Sequence, residues 1–137
     1  MPSESSRLAY LTLLLRLGGV LTGSAFVAMI MPTEWMASTH ERLGLGVFPR
    51  TPVVEYLARS IAALYGFHGI LLFVVAHDPV RLRPVVIYLG CTNIILGAML
   101  LAIDIEAGLP AWWTAAEGPS VIVVGILILL LTRNRST

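Results

Sequence analysis

The chain has 137 residues, of which 57% are hydrophobic and only 12% are charged, about half the charged fraction usual in soluble domains, which excludes an ordinary water-soluble fold. The formal net charge is +1, so no concentrated basic surface is available for nucleic acid. The single cysteine, Cys91, can form no intramolecular disulfide, and we expect no zinc site of cysteines and histidines.

The first apolar run covers about residues 8–31, long enough for a helix that crosses the hydrocarbon layer, which takes about 20 residues. Arg16 interrupts this run. The spacing Gly19-x-x-x-Gly23 on the same helical face allows close approach of a neighbouring helix. A cleaved signal peptide is the alternative, because Arg7 precedes the run and small residues surround Ser24 to Ala28. Arg16 within the apolar stretch favours an uncleaved span.

Residues 32–59 form a predicted outer loop that is much longer than the other connections. Thr33 followed by Glu34 is typical of a helix N-cap with favourable negative charge, and Gly44 and Gly46 are expected to end that helix. Its apolar side chains suit a short interfacial helix that lies flat on the membrane. We expect a packed cap over the helix ends, and a substrate lid is the alternative.

Three further apolar runs predict spans at about residues 60–76, 85–103 and 110–132. The last run has a short apolar core, so its helix must include preceding residues. Pro110 is a favourable first-turn residue for that helix, and Pro119 is expected to kink it.

The distribution of arginines predicts the orientation, because positively charged segments next to spans are retained in the cytoplasm. Five arginines fall on one side, and the arginines of the other side are accompanied by acidic residues. Both termini are therefore expected in the cytoplasm, with the tryptophans at the outer headgroup level. The five arginines are Arg7, Arg81, Arg83, Arg133 and Arg135.

Ionisable side chains within the hydrocarbon layer are costly and are candidates for functional residues. Arg16 either points into the bundle, with Asn93 of the third span as its partner, or extends towards lipid phosphates. His68 lies near the midplane with Tyr65 one turn away, and a neutral, hydrogen-bonded core histidine is the favoured interpretation. Glu117 in the fourth span needs a partner for its charge.

Arg59 is the obvious partner for Glu117, and Glu55 is spaced to pair with Arg59 along one helix. These residues, with His68 and His40, form a predicted outer-leaflet polar cluster. Such a cluster could bind a polar headgroup, transfer a proton or lock the helices together, and we favour the locking role.

Cofactor sites have little support in the sequence. A membrane haem needs two axial ligands at similar depth, and no second span offers a histidine to match His68. Met99 could substitute, but methionine is ordinarily core filler. Asp104 and Glu106 are expected to be solvated at the membrane surface, and Cys91 is expected to be a buried small residue. We therefore expect no metal and no cofactor, with haem as a weak alternative.

Four short motifs carry a family resemblance. They are Pro32-x-x-Trp35-Met36, Leu43-Gly44-Leu45-Gly46, Tyr56-Leu57-x-Arg59-Ser60-x-x-Ala63-Leu64-Tyr65 with His68-Gly69, and Glu117-Gly118-Pro119. Together they resemble small bacterial membrane proteins, and in size and four-span layout the chain is similar to DoxX-type proteins. The resemblance covers most of the chain and implies a four-helix integral protein of the bacterial inner membrane, without catalytic residues to transfer.

We thus expect an all-α, polytopic membrane four-helix bundle with a short interfacial helix in the first outer loop, as one transmembrane domain over residues 1–137. The favoured function is a non-catalytic accessory or scaffold protein, whose partners are the lipid bilayer and either a second copy or another membrane protein. One alternative is a binder of lipid, quinone or haem that uses the polar cluster. Another is a membrane enzyme acting on a lipidic substrate, with Glu117 and His68 as its acid/base pair.

Overall fold

The computed structural model describes residues 3–133, and within this range the chain forms α-helices and no β-strand. Arg135, one of the arginines behind the orientation prediction, lies outside the described residues. The helices are α1 (Glu4–Gly23), α2 (Ala25–Ile30), α3 (Thr33–Arg42), α4 (Pro52–His77), α5 (Arg83–Glu106) and α6 (Ala111–Thr132).

Four helical segments are long and apolar enough to cross a membrane, which confirms the predicted all-α protein with four spans. Most of their side chains face outward, since only 11% of the most apolar window of the first segment and 33% of that of the second are buried. Apolar surface on this scale is unfavourable in water and is expected in contact with lipid. The four segments are Glu4–Ile30, Pro52–His77, Arg83–Glu106 and Ala111–Thr132.

The second span begins at Pro52, eight residues before the predicted start at residue 60. Proline suits the first helical turn, where its missing N–H leaves no bond unmade. The hydroxyl of Thr51 accepts a hydrogen bond from the backbone N–H of Val54 at 3.4 Å and so caps this turn. The uninterrupted apolar run therefore misses the first two turns of the helix, which contain the charged residues Glu55 and Arg59.

The first span is divided at Ser24, which separates α1 from α2. The Ser24 hydroxyl donates a hydrogen bond to the carbonyl of Leu21 at 2.7 Å. A serine that bonds to the preceding turn commonly bends a helix. The predicted kink at Pro119 has no such break, because α6 is continuous through that residue.

Helix α3 is the predicted short helix between the first two spans, but its N-cap is Pro32 and not Thr33. Thr33 is the first helical residue, and its hydroxyl is used in a contact with α4. The helix ends as predicted: Gly44 adopts a φ of 72°. The N–H of Leu45 bonds to His40 O at 3.1 Å, as in a Schellman C-cap.

The described chain divides into two compact units. One contains the chain up to Leu15 together with everything from Val75 onward, and the other is Arg16–Val74. We call them the α5–α6 unit and the α4 unit. The boundary passes through α1 and through the last turn of α4.

In the α5–α6 unit, the two helices run antiparallel with their backbones in contact at glycines. A Cβ atom on Gly97 would lie 2.6 Å from the carbonyl oxygen of Gly118, and one on Gly125 would lie 2.7 Å from that of Gly90. These distances are shorter than any normal carbon contact. The glycines recur at a spacing of seven on each helix, so both pairs lie on one packed face.

In the α4 unit, Gly69 of α4 plays the corresponding role against α1. A Cβ atom on Gly69 would lie 2.5 Å from the backbone nitrogen of Gly23 and 2.7 Å from the carbonyl oxygen of Gly19. One turn away, Phe26 covers Gly66 and packs edge-on against Phe67, with ring centroids 5.4 Å apart. Small residues in α1 and α4 thus allow backbone contact here as well.

Candidate functional site

Arg59 is the centre of a hydrogen-bonded group that joins α2, α3 and α4 within the α4 unit. Its Nη1 donates to the carbonyl oxygen of Met29 at 2.6 Å, and its Nη2 donates to the hydroxyl of Thr33 at 3.4 Å. That hydroxyl donates in turn to Oε2 of Glu55 at 3.1 Å. We call these four residues the Arg59 group.

The position of Met29 explains why an arginine is useful here. Its carbonyl lies in the last turn of α2, where the final four carbonyls of a helix lack helical partners. The chain leaves α2 through Met31 in an extended conformation and enters α3 at Pro32. The positive charge of Arg59 lies at the negative end of the helix dipole and bonds to one of its free carbonyls.

Glu55 and Arg59 are one turn apart on α4, as the sequence spacing predicts, but Thr33 lies between their charged groups. The hydroxyl accepts one hydrogen bond and donates another, which matches its capacity. The hydrogen bonds of Arg59 within the described chain thus go to α2 and α3, and Glu55 is reached through Thr33. The sequence indicated the two charged residues but gave no sign of the residues that connect them.

Glu117 has a partner that the sequence analysis missed. Trp113, one turn earlier on α6, donates its indole N–H to Oε2 of Glu117 at 2.6 Å. Glu117 belongs to the α5–α6 unit, whereas Arg59, Glu55 and His68 belong to the α4 unit. The predicted joining of Arg59 with Glu117 remains a prediction. The i, i+4 spacing of Trp113 and Glu117 was the available signal.

Within the described residues, no group of three or more His, Cys, Asp or Glu side chains is placed to hold a metal ion. His68 is half-buried on α4 between two buried glycines, and Tyr65, one turn earlier, is exposed. His40 is used locally: its Nδ1 donates to the carbonyl of Gly46 at 2.9 Å, and its ring packs edge-on against Phe48.

Arg16 and Asn93, proposed from the sequence as intramembrane polar residues, lie in different units and have different environments. The side chain of Arg16 is exposed, as the lipid-facing alternative requires. Asn93 is half-buried, and its amide donates to the carbonyl of Leu89 at 2.7 Å, within its own helix. Gly19 and Gly23, the small residues singled out on the first span, are the ones that meet Gly69.

Asp104 was expected to be solvated, and this expectation is wrong. Its side chain is only 3% exposed, and Oδ2 has no hydrogen-bond partner among the described residues. Asp104 follows Gly97 by seven residues and therefore lies on the face that packs against α6, whereas Glu106 is exposed. Cys91, which was expected to be buried, is exposed.

Comparison of the chain with family models, with curated proteins and with solved structures found no match. The resemblance to DoxX-type proteins therefore remains an interpretation of the sequence motifs.

Proposed function

We propose that this protein is a non-catalytic integral membrane protein of the bacterial inner membrane that acts as an accessory or scaffold subunit. The observation that carries the proposal is that the polar residues of the predicted ligand site already make hydrogen bonds within the protein. Arg59, Glu55 and Glu117 are engaged in hydrogen bonds inside their own units. A headgroup or substrate would have to displace those bonds, which are strong because charged groups make them.

The helix contacts favour the same function. In both units the backbones of neighbouring helices touch at glycines, which is the packing of tight, long-lived membrane helix pairs. A transporter or an enzyme with a mobile substrate path would need these helices to separate. Rigid helix pairs are suited to holding a surface in place for another protein.

A test of the accessory role is the size of the native assembly. The tagged chain should be extracted from its own membranes in a mild detergent and sized, alongside the same chain purified alone. We expect the native extract to contain the chain in a defined complex larger than the purified species. Recovery of the chain from native membranes as a free 14.8-kDa monomer would overturn the proposal.

The competing binding function has its own signature. The purified protein should show no Soret absorption and should contain no quinone or specific lipid in stoichiometric amount. A cofactor that is lost on replacement of His68 by alanine, with the protein still monodisperse, would instead establish the polar cluster as a ligand site.

We further propose that both termini and the α4–α5 connection are cytoplasmic, with the segment that contains α3 on the opposite side. The positions of the arginines support this orientation. Thr39 and Arg81 are both exposed and would lie on opposite sides. After replacement of Cys91 by serine, an impermeant thiol reagent should label Thr39→Cys but not Arg81→Cys in intact cells. The reverse pattern would overturn the orientation.

A further inference from the structure

Arg16 lies on α1 at the border between the side that contacts α4, where Gly19 and Gly23 meet Gly69, and an exposed aliphatic side. Its side chain is exposed. The neighbouring side chains on the same side of the helix are also largely exposed: Leu13 is 53%, Leu17 is 59% and Val20 is 61% accessible. These aliphatic side chains belong in contact with lipid tails, and a guanidinium among them does not.

The depth of Arg16 in the membrane bears on whether its charge is neutralised by lipid phosphates or by a protein carboxylate. The apolar run of the first span covers about residues 8–31, so Arg16 lies about 12 Å from its N-terminal end and about 22 Å from its C-terminal end at about 1.5 Å per residue. This places Arg16 inside a hydrocarbon layer about 30 Å thick, nearer to the N-terminal end of the span. A guanidinium at that depth reaches phosphates only if it extends towards the N-terminal end of the helix and the bilayer thins locally or water enters.

A second copy of this chain offers no carboxylate at that depth. Of the eight acidic residues, Glu117 lies nearest to the middle of a span. It lies near the end of the second turn of α6 and accepts a hydrogen bond from Trp113. Asp104 is buried in the last turn of α5. The counter-charge for Arg16 therefore has to come from a different molecule.

We propose that Arg16 is the recognition residue for a partner membrane protein that carries a glutamate or aspartate near the centre of one spanning helix. The partner helix would lie against the face of Leu13, Arg16, Leu17 and Val20. In the hydrocarbon layer, pairing of an arginine with a carboxylate lowers the free-energy cost of both charges at once. The pair therefore provides both affinity and specificity. This inference rests on the accessory function proposed above and names the chemistry of its partner.

The direct test uses a defined helix as the probe. The purified chain, labelled with a donor fluorophore, is reconstituted in phosphatidylcholine vesicles. The acceptor-labelled probe is a synthetic leucine-rich spanning helix with one central glutamate, and the control probe has glutamine at that position. We expect energy transfer to show that the glutamate helix binds about tenfold more tightly than the glutamine helix.

Replacement of Arg16 by leucine should abolish that difference, and Arg16→Lys should retain part of it because the charge remains. Arg50→Leu is the matched control, since it removes one exposed arginine outside the spans and should leave the preference intact. Equal binding of both probes to the unaltered chain, or the same preference in Arg16→Leu, would overturn the proposal.

A lipid partner gives a different result. If an anionic lipid satisfies Arg16, addition of phosphatidylglycerol to the vesicles should remove the preference for the glutamate helix, and this outcome would also overturn the proposal. Failure of the inference is distinct from failure of the accessory function. A native complex that survives Arg16→Leu unchanged would reject Arg16 as the recognition residue, whereas a native monomer would reject the accessory function itself.

Discussion

Replacement of Gly69 by alanine should weaken the contact between α1 and α4. The added Cβ atom would lie 2.5 Å from the nitrogen of Gly23 and 2.7 Å from the carbonyl oxygen of Gly19, whereas nonbonded carbon contacts settle near 3.5 Å or more. Both obstructing atoms belong to the backbone, so no side chain can rotate away. The helices must therefore separate by about 1 Å.

The cost follows from the contacts that such a separation removes. Overpacking of a close-packed interface typically destabilises by about 1–3 kcal/mol. Alanine recovers up to about 1 kcal/mol because it is a better helix former than glycine. A net loss of about 1–2 kcal/mol shifts the folding equilibrium by about five- to thirtyfold.

Gly23→Ala is the matched control, because it lies in the same contact but its Cβ atom would have no neighbouring atom within 4 Å. This variant should be as stable as the unaltered chain or slightly more stable. Unfolding is measured by titration of sodium dodecyl sulfate into dodecylmaltoside micelles, followed by tryptophan fluorescence and circular dichroism. Equal losses in both variants, or no loss in Gly69→Ala, would refute the backbone-contact argument.

Three further substitutions test the other contacts in the same assay. Gly97→Ala should destabilise by about 1–3 kcal/mol because its Cβ atom meets the backbone of Gly118 and Ile122. Gly90→Ala should destabilise less, because its Cβ atom mainly meets the movable side chain of Leu129. Equal effects would contradict the α5–α6 register. Arg59→Met should destabilise by about 2 kcal/mol through the charged hydrogen bond lost at Met29, with exposed Arg50→Met as a neutral control. An unchanged stability of Arg59→Met would exclude the capping role. Asp104→Asn should preserve or raise stability because Oδ2 makes no hydrogen bond among the described residues and a buried unpaired charge is costly. A large loss of stability would reveal a partner for the carboxylate.

The sequence predicts the spans because apolar runs of sufficient length have no other stable environment than the membrane. It predicts Gly44 as a helix end for a similar reason, since few other residues adopt a positive φ. The early start of α4 was missed because Glu55 and Arg59 interrupt the apolar residues that follow Pro52, so the uninterrupted apolar run begins only at residue 60. The start of α4 is instead indicated by Pro52, which suits the first helical turn, and by Thr51, which caps that turn.

The connections within the candidate site were less accessible to prediction. The carbonyl of Met29 bonds to Arg59 thirty residues away, and a backbone group has no signature in the sequence. Asp104 was misplaced because its charge suggested water, while its spacing from Gly97 placed it on the packed face. In both cases the packing of one helix on another decided the outcome, and packing partners depend on the whole fold.

The two arginines of greatest interest illustrate how one residue type can serve stability or association. Arg59 lies where the chain leaves a helix, and its donors bond to α2 and α3, so its removal should be felt when the isolated protein unfolds. Arg16 is exposed beside exposed aliphatic side chains, and its removal should relieve the cost of a charge in the membrane. Stability in detergent should therefore fall for Arg59→Met and hold or rise for Arg16→Leu, whereas the preference for a glutamate-bearing helix should persist in Arg59→Met and be lost in Arg16→Leu. If Arg16→Leu were the less stable variant, the guanidinium would have a partner within the chain, and the outward-facing recognition role would be wrong.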